Sequence, residues 1–187
     1  LLLFTAGGRV HTLAGDKLPG GRGQGEPLRL LVDLAADDEA VALRVAVKDE
    51  TLILASSDGR GFRIDAEACI AQTKTGRQVM NPAAGAALSI VTAVAGELVA
   101  VIGENRRLLI FALDELPEMT RGRGVMLQRY KDGGLSDLTT IAAEDGLAWQ
   151  SGDRTRRETD LTTWIGKRAA AGRQPPHGFP RDNKFSG

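Results

Sequence analysis

The chain has 187 residues, 42% of them hydrophobic and only 4% aromatic, and its 24 Lys and Arg side chains balance 24 Asp and Glu. That supports a packed core of Leu, Val, Ile and Ala, and a neutral total gives no whole-chain signal for nucleic acid, although binding depends on local potential. A lone cysteine, Cys69, excludes an internal disulfide framework and suits a reducing cytosol, and no apolar run approaches the ~20 residues of a membrane-spanning helix.

In chain order, "LLLFT" and "RVHTL" flank the Gly7-Gly8 turn, and their apolar composition predicts two paired strands. The chain opens inside an apolar segment without methionine or a basic leader, which reads as a piece cut from a longer protein, truncated at its N-terminus. "LPGGRGQGEP" follows as a glycine-bearing loop. "DLAADDEAVALRVAV" reads as strand, with a short helix as the alternative by propensity. "TLILASSDGRGFRI" places two β-rich runs around Asp58-Gly59, a strong hairpin signal, and "ELVAVIGENRRLLIFAL" repeats it around Glu104-Asn105. "LSIVTAVAG" and "LSDLTTIAAEDG" read as strands ending in turns. "LAWQSGDRTRRETD" turns at Gly152-Asp153.

These segments share one order of events: a short apolar run, a tight polar turn, basic residues, then a glycine-bearing basic stretch. The glycines of that stretch, Gly25, Gly76, Gly124 and Gly172, are 51, 48 and 48 residues apart, and Gly8 to Gly25 and Gly59 to Gly76 are both 17 residues. A period of about 50 residues with several short strands per unit predicts small sheets that cannot bury both faces alone and must stack. The expected fold is all-β and propeller-like, with about four repeats in an open or incomplete disc.

The glycine-basic stretches are "LPGGRGQG", "AQTKTGRQ", "LPEMTRGRG" and "GKRAAAGR". Each is open to two readings: an ordinary connection with surface arginines, or a phosphate-binding bend in which glycine lets backbone N–H groups approach an anion and arginine supplies charge. Repeated around a disc, the second reading makes a discontinuous basic track able to hold duplex DNA without reading bases. The candidate DNA contacts are Arg9, Arg22, Arg60, Lys74, Arg77, Arg106, Arg107, Arg121, Arg123, Lys167, Arg168 and Arg173. Residues 151–187 carry 8 basic and 4 acidic side chains and form the one net basic portion.

No catalytic or metal site is nominated. Tyr130, the single tyrosine, has no neighbouring cluster of acids and histidine and reads as a strand or rim residue. His11 reads as a half-exposed strand residue and His177 as part of the tail; with Cys69 they form no metal spacing. No phosphate-binding loop ending in Lys-Ser or Lys-Thr is present, so ATP has no site here. Cys69 reads as a small buried hydrophobe.

"LLLFTAGGRVHTL…LPGGRGQGEPLRLLVDL", "LPEMTRGRGVMLQRYKDGGLSDLTTI" and "GRQPPHGFPRDNKF" resemble the C-terminal domain of the A subunits of bacterial topoisomerase IV, related to that of gyrase. The resemblance covers nearly the whole chain. It implies a β-pinwheel, a propeller-like disc with strands exchanged between neighbouring blades, over residues 1–173, followed by a Pro- and Gly-containing basic tail over 174–187. It further implies a non-catalytic domain of an ATP-dependent type IIA topoisomerase, with double-stranded DNA on its rim. Cleavage, ATP and Mg would belong to the remainder of the A subunit, together with the topoisomerase IV B subunit, and the setting would be cytoplasmic and nucleoid-associated. The gyrase relative wraps DNA through a full glycine-basic box. Here "TRGRGV" comes closest to that box and none is complete, which implies weak holding of a duplex that biases the enzyme toward decatenation and particular supercoils.

Two other readings remain open on the sequence. One is a propeller-like protein-interaction scaffold without nucleic-acid binding, which the neutral total charge fits equally. The other is an enzyme with its site in a propeller mouth. A basic belt on the rim separates DNA binding from the scaffold; a scattered mixture of charges favours the scaffold.

Overall fold

A computed structural model describes residues 1–186. The elements in chain order are β1 (Leu2–Thr5), β2 (Arg9–Thr12), α1 (Leu28–Leu31), β3 (Ala40–Arg44), β4 (Thr51–Ser56), β5 (Arg60–Asp65), β6 (Arg77–Gln78) and β7 (Leu88–Ala93). They continue with β8 (Leu98–Gly103), β9 (Leu108–Ala112), β10 (Val125–Met126), β11 (Leu135–Ile141), β12 (Leu147–Ser151) and β13 (Arg154–Glu158). The single α-helical element is one turn, and three short 3-10 turns follow β2, β5 and β9. "DLAADDEAVALRVAV" becomes loop followed by β3, so its second half is strand.

The strands form four small antiparallel sheets, ordered β3-β1-β2-β6, β7-β4-β5-β10, β11-β8-β9 and β12-β13. The Asp58-Gly59 hairpin pairs Thr51 with Asp65 through Ala55 with Gly61, and the next hairpin pairs Leu98 with Ala112 through Ile102 with Leu108. The outer edge of each of the first three sheets is completed by the unit that follows it. β6, which follows β5, crosses back to β2, and β10, which follows β9, crosses back to β5. The third sheet receives Arg173, whose N–H and carbonyl both bond Leu108, at 2.9 and 2.7 Å. Strand exchange between neighbouring blades makes this a β-pinwheel.

Alternation along the middle strands explains why they read as continuous apolar runs. In a strand successive side chains face opposite sides. Leu52 and Leu54 of β4 pack with Leu2, Phe4 and Val10 of the first sheet, while Ile53 and Ala55 pack with Val99, Val101, Leu109 and Phe111 of the third. Ala100 and Ile102 of β8 turn the other way, toward Leu147, Trp149, Phe179 and Phe185. Each sheet-to-sheet seam is thus one apolar cluster. A fully buried Leu or Phe contributes roughly 1.5–3 kcal/mol relative to exposure, and the seams hold most of the buried side chains.

Among the described residues, no strand pairing and no apolar cluster joins the fourth sheet to the first. The array is an open arc. The stretch from residue 174 to residue 186 packs as part of it. Gln150 donates to the Phe185 carbonyl (3.3 Å) on the side of β12 that β3, β7 and β11 occupy in the other sheets. Phe179 stacks tilted on Trp149 and edge-on to Phe185, with centroids 5.7 and 5.5 Å apart.

His11 differs from the half-exposed residue expected of its strand. It is 1% exposed, and its Nδ1 lies 3.0 Å from the Lys74 carbonyl across the exchange seam. The segment that buries it lies some sixty residues further along the chain, so local alternation carries no trace of it. Cys69 is buried as expected, and burial pushes its thiol up to about 12.

Candidate nucleic-acid interface

The repeated glycines stand where the exchanged segments cross onto the preceding sheet. Gly76, Gly124 and Gly172 have φ of 74°, 82° and 80°, a region open mainly to glycine. A Cβ at each would lie 2.6, 2.5 and 2.6 Å from the carbonyl oxygens of Val10, Gly61 and Leu108 respectively. Both the twist and the close approach demand glycine, and the demand comes from strand exchange.

The exchanged segments touch one another in series. Gly122 donates to Val79 O (3.1 Å) and accepts from Asn81 N (2.9 Å); Ala169 donates to Leu127 O (2.9 Å) and Arg129 to Ala170 O (3.1 Å). Residues 72–81, 119–131 and 167–175 thereby form one continuous band along the outer edges of the first three sheets. This band carries Lys74, Arg77, Arg121, Arg123, Arg129, Lys131, Lys167, Arg168 and Arg173, and no Asp or Glu at all. Nine of the 24 basic residues are therefore gathered on it, and the balancing acids lie elsewhere.

The band's cations are also largely uncommitted. The one ion pair among the described residues is Arg44–Glu50 (3.7 Å), away from the band. Lys74, Arg77, Arg121, Arg123, Lys167 and Arg173 are exposed, as are Arg129 and Lys131. Arg168 is the exception: its Nε donates to Glu115 O and its Nη1 to Met126 O, which ties the fourth unit's segment to the second and third sheets.

The other expected contacts divide. Arg9 spends its guanidinium on the carbonyls of Thr75 and Gly76 and on Gln78 Oε1, clamping the exchanged strand β6. Arg106 adopts φ 61° at the hairpin tip and donates to the carbonyls of Phe179 and Pro180 and to Asn183 Oδ1. Both arginines thus hold the fold together. Arg60 is half-buried beside Met126 of β10, and Arg22 is exposed in the first unit's glycine loop, apart from the band. Arg107 is exposed and joins the band at a groove.

That groove, about 740 Å³, is lined by Asn105, Arg107, Arg129, Tyr130, Lys131, Asp132, Ala171 and Gly172. It brings three cations to one concavity at the third exchange seam. Sequence reasoning misses Arg129 and Lys131, although they follow the Gly124 bend directly in "GVMLQRYK". Tyr130 beside them packs its ring against Gly59 and Gly103, where a Cβ would come within 2.3 and 2.6 Å of it. Burial, with Asp58 and Glu104 nearby, raises its phenol well above the ordinary range, so the hydroxyl stays protonated. Among the described residues no group of three or more His, Cys, Asp or Glu could hold a metal ion, and no helix is long and apolar enough to cross a membrane.

A family model described as DNA gyrase C-terminal domain, beta-propeller, matches residues 1–46, 50–81 and 97–141. The chain belongs to this family. The A subunit of DNA topoisomerase 4 from Rickettsia bellii is 42% identical over 186 residues, and that from Caulobacter vibrioides 41% over 186 residues. The alignments take in 100% and 99% of this chain but 25% and 24% of those subunits, so the chain spans about a quarter of its curated relatives. The C-terminal domain of E. coli ParC has the same fold, with a TM-score of 0.82 at 23% identity over 96% of this chain and 77% of that domain. A solved gyrase A C-terminal domain matches with a TM-score of 0.72 at 18% identity, over 94% of this chain and 61% of that one. In this chain, strand exchange orders the basic segments along one edge.

Proposed function

We propose that this chain is the duplex-holding domain of a topoisomerase IV A-type subunit. The observation that carries the reading is the exchanged band, with nine basic side chains, no acids, and eight of the nine cations free of internal partners. The relatives are DNA topoisomerase subunits, which makes DNA the polyanion such a band would meet. Phosphate contacts from separate bends fix a duplex without reading its bases. Because the bends lie on successive blades of an arc, a duplex that follows them is curved. Curvature at the edge of the enzyme would favour crossings of one geometry, which is the route to a bias toward decatenation and particular supercoils.

In this reading the fragment performs no chemistry. Strand cleavage, ATP hydrolysis and Mg binding belong to the remainder of the A subunit, together with the B subunit, in a cytoplasmic, nucleoid-associated enzyme. Each phosphate neutralised steepens the fall of log K with log salt by about 0.9 for B-form DNA. Gel shifts of the domain on linear and supercoiled DNA across a salt series test this. The expected result is modest affinity, steep salt dependence and little sequence preference; tight, salt-independent binding to one sequence would contradict it.

A further inference from the structure

The end of the disc away from the hairpin tips is acidic. Every sheet points its tip the same way. At the tips Leu88 donates to Ala6 O (2.8 Å) and Leu135 to Ser57 O (2.9 Å), and at the far ends the Thr140 hydroxyl bonds both Ala93 O (3.3 Å) and Ala95 N (2.9 Å). Leu98 and Ile141, at the far ends of β8 and β11, share one apolar cluster with Leu147 of β12. The basic band rises toward the tips, where Val79 and Met80 donate to Gly8 O and Leu127 to Gly59 O.

The loops at the far end are residues 13–17, 47–51, 65–70, 94–97, 112–117, 142–146 and 158–163. They hold 12 of the chain's 24 acidic side chains and only two basic ones, Lys17 and Lys48. Arg44, Arg63 and Arg157 reach in from the strands to Glu50 and to the carbonyls of Leu116 and Asp145, and acids still outnumber bases there by twelve to five. Of the band, Arg168 alone reaches this end, at Glu115 O. Hydrogen bonds from the Ala143 N–H and from Thr162 hold the Glu97 and Asp160 carboxyls below the usual carboxylate range, so both stay charged. The acids are dispersed, and among the described residues no three His, Cys, Asp or Glu could hold a metal ion. This end is a field of negative charge and offers no ligand a site.

We propose that this acidic end confines the duplex to the band, by repelling DNA that leaves the outer edge for the far end of the disc. The inference rests on the duplex-holding reading above and adds what sets the path. Distance decides the effect. Strands of five or six residues put the two ends about 17–20 Å apart, while charges in ~0.15 M salt are screened over about 8 Å. The acids therefore leave the band's own attraction nearly intact and act on a duplex only once it strays toward them. Like-charge repulsion against wrong arrangements gives a specificity that attraction alone does not. A duplex held to one side of the arc meets a second duplex in one sense, whereas a duplex free to wander over the disc has no fixed sense.

The test uses the full-length subunit bound to a mixed-sequence duplex, with an iron chelate that cleaves nearby DNA tethered to one introduced cysteine. Ala143→Cys places the chelate at the acidic end and Ala171→Cys places it in the groove of the band; both positions are exposed, whereas native Cys69 is buried. Subunit without an added cysteine, treated alike, supplies the background. Cleavage is expected from position 171 and none above background from 143. Glu67→Gln/Asp114→Asn/Glu144→Gln/Asp145→Asn, four exposed acids of the far end, should bring cleavage from 143 while that from 171 persists. Glu26→Gln/Asp33→Asn/Asp37→Asn/Asp153→Asn changes the net charge equally elsewhere and should leave the pattern as it was. Cleavage from 143 before any acid is neutralised, none after the far-end acids are neutralised, or the same gain from the second set would each overturn the confinement and leave duplex holding intact. Loss of cleavage from 171 in the otherwise unaltered subunit would overturn both.

Discussion

The guanidinium of Arg106 donates to the Phe179 carbonyl at 2.8 Å and lies 6.0 Å above the centroid of the Phe179 ring. A hairpin tip of the third unit thereby holds the tail, and the tail in turn covers Trp149, whose Nε1 donates to Gly178 O (3.2 Å). Arg106→Ala removes three hydrogen bonds to that stretch and a cation–π contact. It should cost about 2–3 kcal/mol and red-shift tryptophan emission as Trp149 becomes solvated, read by fluorescence and thermal melting. DNA affinity at temperatures where the variant is folded should change little.

Substitution at the crossing glycines should be severe. A Cβ on Gly124 would stand 2.5 Å from Gly61 O in a backbone twist that side chains disfavour. Gly124→Ala should destabilise by about 2–4 kcal/mol, from strain at φ > 0 and overpacking. Calorimetry checks this, and Gly85→Ala is a useful control. Gly85 has a similar φ of 79° with nothing within 4 Å, so it should lose only the conformational part.

How much of this is legible in the sequence follows from the range of each interaction. The hairpins at Asp58-Gly59 and Glu104-Asn105 are local, and turn chemistry between apolar runs reveals them. The 48–51-residue period reveals stacked sheets. The reason for the repeated glycines is not legible, because Gly76 answers to the Val10 carbonyl, sixty-six residues away. Arg9, Arg106 and Arg168 look like Arg121 in sequence. Only the pairing of distant segments shows that the first three bond backbone carbonyls of other segments while Arg121 faces solvent. Arg129 and Lys131 escape a motif that ends at Gly124, whereas the band continues past it.

Alkaline pH should weaken the fold. The Cys69 thiol is pushed up from 9.0 to about 12, chiefly by burial, and Tyr130 is shifted in the same direction for the same first cause. The native state holds these protons more tightly than the unfolded chain, so their stabilising contribution is complete below pH 9 and is lost as pH rises toward 12. Denaturant melts at pH 8, 9, 10 and 11 should show falling stability, and Cys69→Ala should flatten part of that slope. Native Cys69 should also resist alkylation at pH 8, at a rate that rises only on unfolding.

The most direct measurement is the salt dependence of DNA affinity for the protein and for Arg121→Ala/Arg123→Ala. Both side chains are exposed on the band and bond nothing within the chain, so the fold should melt unchanged. Fluorescence anisotropy on a mixed-sequence duplex should show weaker binding, with the slope of log K against log salt shallower by about 1–2. An affinity and slope indistinguishable from those of the unaltered protein would contradict the account.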